Sequence, residues 1–366
     1  MRACDILECF SNDSEVLRLT DIATRTGLHK TTALRLLTTL ERRGLVVRST
    51  NRGYHLAIRM PRRQRFRIGY ATQSTEFAFS REVTESIERA AKGEELELIL
   101  LDNRYGSRVA LRNAEIFIRE KVDLVMEFQT YGEIAPVIAS KFGQHKIPLI
   151  AIEIPHPGAI YYGANNYEAG LIGGRYLGRW AKTRWRGEVD EVLFLELRSA
   201  GPLPRSRLTG MWAGLRETLP SLNDRVISNL DGNGQFGKTL DLVRKHLRKR
   251  SSRHTLVCAV NDPSAIGALR AFEEAGRVQD CAVLGQNASL EARAEMRRKG
   301  TRLVGSVAYF PERYGDGLIS LALDILNNRP VEPAVFVKHK LVTPENVDHY
   351  YPNDELVHPS QLDSVL

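Results

Sequence analysis

LTDIATRTGLHKTTALRLLTTLERRGL, residues Leu19 to Leu45, is the stretch from which the rest of this chain is read. It spells helix, tight turn, helix. Thr20 is placed to cap the first helix, its hydroxyl accepting from a free amide of the first turn. Gly27 stands where a left-handed residue ends that helix and turns the chain. Beyond it, Ala33, Leu36, Leu37 and Leu40 recur at the i, i+3, i+4, i+7 spacing of one apolar helix face. Thr31, Thr32, Arg35, Thr38, Thr39 and Arg42 fall on the other faces, and hydroxyls and guanidinium groups suit phosphate oxygens and base edges in a major groove. A small amphipathic bundle with a solvated polar face has the same periodicity, so charge must choose between the two.

The 366 residues carry 52 Lys+Arg against 44 Asp+Glu, a net charge of +8. Through Arg67 there are 14 basic and 6 acidic residues, which leaves 38 against 38 in the remainder. The whole excess lies in the head, the footprint of a nucleic-acid reader rather than of a uniformly basic protein. At 43% hydrophobic, the chain is long enough for two or three cores. Cys4, Cys9, Cys258 and Cys281 form no C-x-x-C pair, and the nine histidines lack ligand spacing. Neither a disulfide framework, a metal site nor a cofactor is expected. Acids interrupt MRACDILECFSNDSE, and no apolar run approaches the ~18 residues of a membrane span. The expectation is a soluble, cytoplasmic protein without a secretory signal.

Working outward, Ile6, Leu7 and Phe10, then Val16 and Leu17, supply a first helix and its packing edge. LVVRSTNRGYHL (Leu45–Leu56) reads as a hairpin with Asn51 and Gly53 as turn residues. Three helices and a hairpin make a winged helix-turn-helix over 1–58, with Arg48 and Arg52 placed to touch backbone phosphate from the wing. Residues 3–58 resemble the head of IclR-type transcriptional regulators, through the Gly-Leu-x-Lys-[Ser/Thr]-Thr opening at Gly27–Thr32 and Leu-x-x-Leu-x-x-x-Gly-Leu at Leu37–Leu45. The resemblance implies that Lys30, Thr31, Thr32 and Arg35 meet DNA. After the head it stops, because the effector domain of those regulators is of a different kind.

RMPRRQRFR (Arg59–Arg67) holds five arginines around Pro61 and reads as a basic linker over 59–66, with no sign of the hinge helix of LacI-type repressors. From Phe66 onward, short β-branched runs alternate with helical patterns: FRIGYA (66–71), LELILLD (96–102), LVMEF (124–128), IPLIAI (147–152), VLFLEL (192–197), TLVCAV (255–260), CAVLG (281–285) and LVGSVAY (303–309). Such alternation means parallel sheets flanked by helices, an α/β class, and the length favours two lobes. In open α/β sheets ligands lie beyond the carboxyl ends of the strands. Those ends carry Thr72–Glu76 with Phe77 and Phe79, Asp102–Arg104, Gln129–Thr130, Glu153, Asn261–Asp262, Gln286–Asn287 and Tyr309, with Arg207 after LELRSAGPLP. Amides, carboxylates, an arginine and aromatic rings together suit a polyol, whose hydroxyls pair with the planar groups while its C–H faces stack on rings.

Residues 67–343 also resemble the type I periplasmic-binding-protein fold, closest to ribose-binding proteins and the sensor domains of LacI-type regulators. The matching signatures include FSREVTESIERAA, GANNYEAGLIGGRYL, Arg207–Gly210, AVNDPSAIGALRAFEEAG and GSVAYFPERYGDGLISLALDIL. The resemblance implies ligand contacts at Thr75, Phe77, Glu153, Arg207, Asn261, Asn287 and Tyr309, with Asp262 and Asn165 close by. Three positions depart from the sugar-binding pattern: Asn287 where Asp is usual, Tyr309 where ribose binders have an amide, and Glu153 where Asp is common. They point away from a simple neutral pentose, toward a larger or modified sugar, an inositol or another polar small molecule.

Two motifs invite over-reading. GLIGGRYLG (170–178) lacks the strand–turn–helix setting of a dinucleotide loop and reads as close helix packing. RKHLRKRSSRH (244–254) reads as a solvated helix end. The tail, 344–366, is expected to be loosely ordered. The combined reading is a non-enzymatic, sugar-sensing transcriptional regulator, a homodimer that binds double-stranded operator DNA. A solute-binding protein for carbohydrate uptake, an enzyme acting on a sugar, and a regulator whose cleft serves only dimerisation are the competing readings.

Overall fold

A computed structural model describes residues 2–10, 15–49, 53–57, 66–94 and 96–354. The chain divides into two compact units, Met1–Gln64 and Arg65–Leu366. The expected linker falls almost wholly outside the described residues, as do Arg52, Asn51 and the last twelve residues.

In the first unit, α1 (Arg2–Glu8), β1 (Leu17–Arg18), α2 (Leu19–Thr26) and α3 (Lys30–Arg42) precede the wing strands β2 (Val46–Arg48) and β3 (Gly53–Leu56). Ala33, Leu37 and Leu40 bury the expected stripe, with Leu36 partly covered, in a core shared with Ile6, Leu17, Ile22, Val46 and Tyr54. Gly27 ends α2 in the left-handed region at φ +65°. Two local expectations fail. Thr20 lies inside α2, and the free amide at the helix start, that of Arg18, donates instead to the Asp21 carboxylate at 3.0 Å. Leu17 is not helical: Leu17–Arg18 pair antiparallel with Tyr54 and Gly53, which makes the wing three-stranded and puts Gly53 in a strand. A Cβ at Gly53 would come within 2.3 Å of a Val16 methyl and 3.3 Å of the Leu17 carbonyl oxygen, so a larger residue there would have to displace the Val16 side chain.

The second unit has two lobes. The first contains β4 (Phe66–Thr72), α4 (Ala78–Ala91), β5 (Leu96–Asp102), α5 (Ser107–Glu120), β6 (Leu124–Glu127), α6 (Ala135–Gln144), β7 (Leu149–Ile152) and β8 (Ile160–Gly163). The second contains α7 (Asn166–Trp185), β9 (Glu191–Glu196), α8 (Pro202–Thr218), β10 (Ile227–Asp231), α9 (Phe236–Leu247), β11 (Thr255–Ala259), α10 (Asp262–Glu274), β12 (Cys281–Asn287), α11 (Leu290–Arg297) and β13 (Leu303–Ala308). The chain then returns to the first lobe with α12 (Tyr314–Leu326) and β14 (Ala334–Phe336), and ends in the second with β15 (Lys340–Val342) and α13 (Val347–Tyr350). The sheet orders are β14-β8-β7-β6-β4-β5 and β10-β9-β11-β12-β13-β15, parallel except for β15 against β13. Strands buried on both faces need helices on both sides, and the near-continuous apolar runs noted in the sequence are the consequence.

Three crossings join the lobes, and they are tied together. The Asn165 amide of the first donates to His339 Nε2 of the third at 3.1 Å, and that ring meets the edge of Tyr309 in the second at 5.1 Å. The tail departs from expectation. Val347 and Tyr351 are buried in the core of the second lobe, and Asp354 accepts from Arg293 and Arg297 at 2.9 and 2.8 Å. Through Asp354 the tail is part of the lobe.

The glycine-rich run performs the helix packing expected of it. Cβ atoms added at Gly170 and Gly174 of α7 would stand 2.0 and 2.1 Å from the backbone oxygens of Arg207 and Met211 of α8. Those at Gly210 and Gly214 would press equally on the backbone of α7. Two helix backbones therefore lie in direct contact, which fixes where Arg207 stands.

Candidate functional site

In the first unit, α3 carries Lys30, Thr31, Arg35 and Thr39 exposed and Thr32 half-buried, with Arg48 exposed on the wing. Among the described residues no salt bridge engages Lys30, Arg35 or Arg48, whereas Arg25 of α2 pairs with Glu15 at 2.9 Å. The Thr39 hydroxyl donates to the Arg35 carbonyl at 3.0 Å, which leaves its oxygen lone pairs outward as acceptors. One helix face thus presents cations and hydroxyls that are not neutralised internally.

In the second unit a cavity of about 420 Å³ opens between the lobes. The first lobe contributes Gln73, Glu76, Phe77, Phe79, Tyr105, Phe128, Thr130 and Glu153. The second contributes Leu197, Pro204, Arg207, Gly234, Phe236, Asn261, Arg270, Asn287, Ser289 and Glu291, among others. The volume is within the ~300–1,000 Å³ range of small-molecule sites.

At its centre is a buried ion pair between lobes. Arg207 Nη2 donates to Glu153 Oε2 at 2.9 Å, and the two residues are 7% and 5% exposed. Arg207 Nε donates to Asn166 Oδ1 at 2.6 Å and Nη1 to the Val260 carbonyl at 3.1 Å. Glu153 Oε1 accepts from the Tyr314 hydroxyl at 2.6 Å and from the Ala164 amide at 3.1 Å. Every charge in this group is met, as burial demands. Glu153 (φ +61°) and Asn287 (φ +102°) both hold left-handed backbone, a strain that only a well-determined surrounding sustains.

Five of the eight sequence-named ligand residues line the cavity: Phe77, Glu153, Arg207, Asn261 and Asn287. Asn261 is partly committed already, since Oδ1 caps α10 through the Ser264 amide and Nδ2 donates to the Gly234 carbonyl. Three stand away. The Thr75 hydroxyl and amide both donate to Asp102. Asp262 is fully buried, accepting from the Ser306 hydroxyl and the Ser289 amide, both at 2.6 Å, and burial pushes its carboxyl up to about 7. Tyr309 lies beneath Arg207, whose guanidinium sits 4.9 Å from the ring centre, and its hydroxyl donates to Gln286 at 2.7 Å. Asn165 caps α7 and is likewise no wall of the cavity. Tyr105, Phe236, Ser289 and Glu291 went unnamed in the sequence because they precede or begin helices rather than end strands, and Arg270 because it lies within α10.

The lobes also touch around the cavity. The Tyr105 hydroxyl donates to the Asn233 carbonyl at 3.1 Å, the Gly132 amide donates to the Ser199 carbonyl at 2.8 Å, and Arg293 pairs with Glu82 at 3.4 Å. No group of His, Cys, Asp and Glu suited to a metal ion occurs among the described residues. None of their helices is long and apolar enough to cross a membrane.

The periplasmic binding protein domain family matches residues 68–330. The chain belongs to that family. The IclR helix-turn-helix domain matches residues 1–50, so a DNA-binding head precedes the periplasmic-binding-protein body, and neither family is enzymatic. No curated protein matches the chain. Among solved structures, an ABC transporter solute binding protein from Mycobacterium smegmatis with bound glycerol aligns at TM-score 0.69 and 16% identity, covering 78% of this chain and 96% of that one. One from Bacillus halodurans with bound myo-inositol aligns at 0.67 and 20%, covering 80% and 99%. One from Actinobacillus succinogenes with bound D-allose aligns at 0.67 and 19%, covering 78% and 100%. At these identities the likeness establishes the two-lobed fold of the body.

Proposed function

We propose that this chain is a transcriptional regulator whose DNA affinity responds to a hydroxylated small molecule held between the lobes of its periplasmic-binding-protein body. The observation that carries the reading is the interlobe cavity, crossed by the Glu153–Arg207 pair, in a chain that also bears an IclR helix-turn-helix. A ligand touching both lobes favours their closed arrangement by its differential affinity for it, and that is the physical content of sensing. Glycerol, myo-inositol and D-allose in the similar proteins are all polyhydroxylated, and Phe77, Asn261 and Asn287 offer this cavity a ring and two amides of the kind such molecules use. The head would engage operator DNA through Lys30, Thr31, Thr32, Arg35 and Thr39, with Arg48 and Arg52 on phosphate. Two copies would meet two half-sites about one helical turn apart.

The test combines two measurements on the full chain. A thermal-shift screen over sugars, polyols and sugar derivatives finds the effector, which at ~1,000 times its Kd adds about 4 kcal/mol to the stability of the body. Selection of bound DNA fragments, followed by anisotropy titration with and without that effector, reads the coupling. A change in DNA affinity of about fivefold or more is expected. An effector that binds tightly and leaves DNA affinity unchanged would overturn the regulatory reading.

A further inference from the structure

We infer that the effector carries a protonated amine: the cavity is built for a compact, hydroxylated ammonium ion, such as an amino sugar or amino polyol, and against sugar acids and sugar phosphates. This rests on the proposed sensing role and deepens it.

The argument is a charge inventory of the cavity wall. Two arginines face it, and both are already held in ion pairs. Arg207 has each guanidinium nitrogen engaged, by Glu153, Asn166 and the Val260 carbonyl. Arg270 donates to Glu273 at 2.6 Å and to Glu295. An anionic ligand binds best to an arginine fork not already committed to a carboxylate, and neither arginine of this wall offers one. Three carboxylates face the cavity; Glu153 is paired with Arg207, whereas Glu76 from the first lobe and Glu291 from the second have no side-chain partner among the described residues. The wall therefore carries two uncompensated negative charges and no free positive one.

Two further observations bear on the ligand, the first on its presence and the second on its sign. Asn287 is 9% exposed, faces the cavity and has no side-chain hydrogen bond among the described residues. A buried amide left open in this way is held for something that enters. The wall also carries aromatic rings: Phe77, whose ring meets Tyr105 edge-on at 5.0 Å, together with Phe79, Phe128 and Phe236. Aromatic faces attract a cation through the ring quadrupole and accept the C–H face of a sugar equally well, so one ligand uses both. Because Glu76 and Glu291 belong to opposite lobes, an ammonium ion also draws the lobes together, whereas without it their charges oppose closure.

The experiment is calorimetric titration of the full chain at low salt with matched probes: D-glucosamine, D-galactosamine and D-mannosamine against D-glucose, D-galactose and D-mannose, with D-gluconate and 1,4-diaminobutane. At least one amino sugar should bind tenfold or more tightly than its neutral counterpart, and D-gluconate should not bind. Glu76→Gln and Glu291→Gln should each lower that preference about fivefold, as expected for one partly solvated ion pair, with little change for the neutral sugar. A neutral sugar or D-gluconate binding more tightly than every amine overturns the inference and leaves the sensing role standing. A response to 1,4-diaminobutane alone supports the cation and overturns the hydroxylated effector. Silence from every amine overturns the inference.

Discussion

Gly170→Ala is the perturbation that most directly tests how the fold makes the site. The added Cβ would lie 2.0 Å from the Arg207 carbonyl oxygen, 2.8 Å from its carbonyl carbon and 2.9 Å from the Met211 nitrogen. All three are backbone atoms, so no side-chain rotation relieves the clash. To reach ordinary contact at 3.4 Å, α8 must retreat from α7 by a large fraction of the missing distance. Arg207 rides on α8, and its bonds of 2.6 Å to Asn166 and 2.9 Å to Glu153 have little slack before they exceed hydrogen-bond length. Overpacking alone costs about 1–3 kcal/mol. Breaking a buried ion pair raises the total toward ~3–5 kcal/mol. For a unit of this size, 3 kcal/mol corresponds to roughly 5 °C in Tm. The assay is calorimetric unfolding of the variant beside Gly143→Ala, whose Cβ meets nothing within 4 Å. Gly143 lies in α6, so alanine there should be neutral or stabilise by up to ~1 kcal/mol. If Gly170→Ala melts within a degree of the parent and keeps full effector response, the claim that helix contact positions Arg207 is wrong.

Two other expectations concern groups outside that contact. Glu127 is fully buried, with Oε1 accepting from Asn103 at 2.8 Å and Oε2 unpartnered, and burial pushes its carboxyl up to about 8 despite the Asn103 donor. A raised folded pKa means the folded body keeps a proton that the unfolded chain releases, so this stability is full below about pH 4.5 and is lost as pH rises to 8. Glu127→Gln should flatten that decline and stabilise the body at pH 8 by several kcal/mol, at ~1.4 kcal/mol per pKa unit; denaturant melts at pH 5 and 8 read it, and an unchanged slope would refute the assignment. Asp262, raised to about 7 by burial, should leave a smaller residual decline in the variant. In the head, Arg35→Ala should reduce discrimination between operator and unrelated DNA by roughly 1–3 kcal/mol while the melting of the body stays the same; anisotropy that shows equal loss on both DNAs would reassign Arg35 to phosphate.

How far the sequence was legible depended on whether an element is held by its own pattern or by distant partners. All eight β-branched runs became strands, seven of them in a sheet interior where burial on both faces writes an apolar run into the sequence, and Leu96–Asp102 at a sheet edge but seven residues long. In the body four strands escaped notice: Ile160–Gly163, Ile227–Asp231, Ala334–Phe336 and Lys340–Val342. Three of these are sheet edges and the fourth, Ile160–Gly163, is the neighbour of one. Ile227–Asp231 is half-covered at best, and the last two are three-residue segments held by pairing across more than 30 residues of chain. Helix α11 was missed for a related reason. LEARAEMR looks solvated, yet Arg293 within it is 3% exposed, because Glu82 and Asp354 reach it from 211 and 61 residues away.

The same distinction explains the candidate site. The strand-end rule located the cleft, since a parallel sheet delivers every carboxyl end to one side. It could not say which polar groups face inward. Asp262 and Asn261 are adjacent after the same strand, yet Asn261 lines the cavity while Asp262 turns to the Ser289 amide and the Ser306 hydroxyl, 27 and 44 residues on. Arg207 and Glu153 read in sequence as two charged groups awaiting a ligand, but 54 residues apart they find each other. What the cavity has left to offer a ligand is therefore not its strongest sequence signals, which cancel, but the groups those signals leave unpaired: Asn287, Glu76, Glu291 and the rings. On the proposed reading, effector specificity is written in what the buried network does not satisfy.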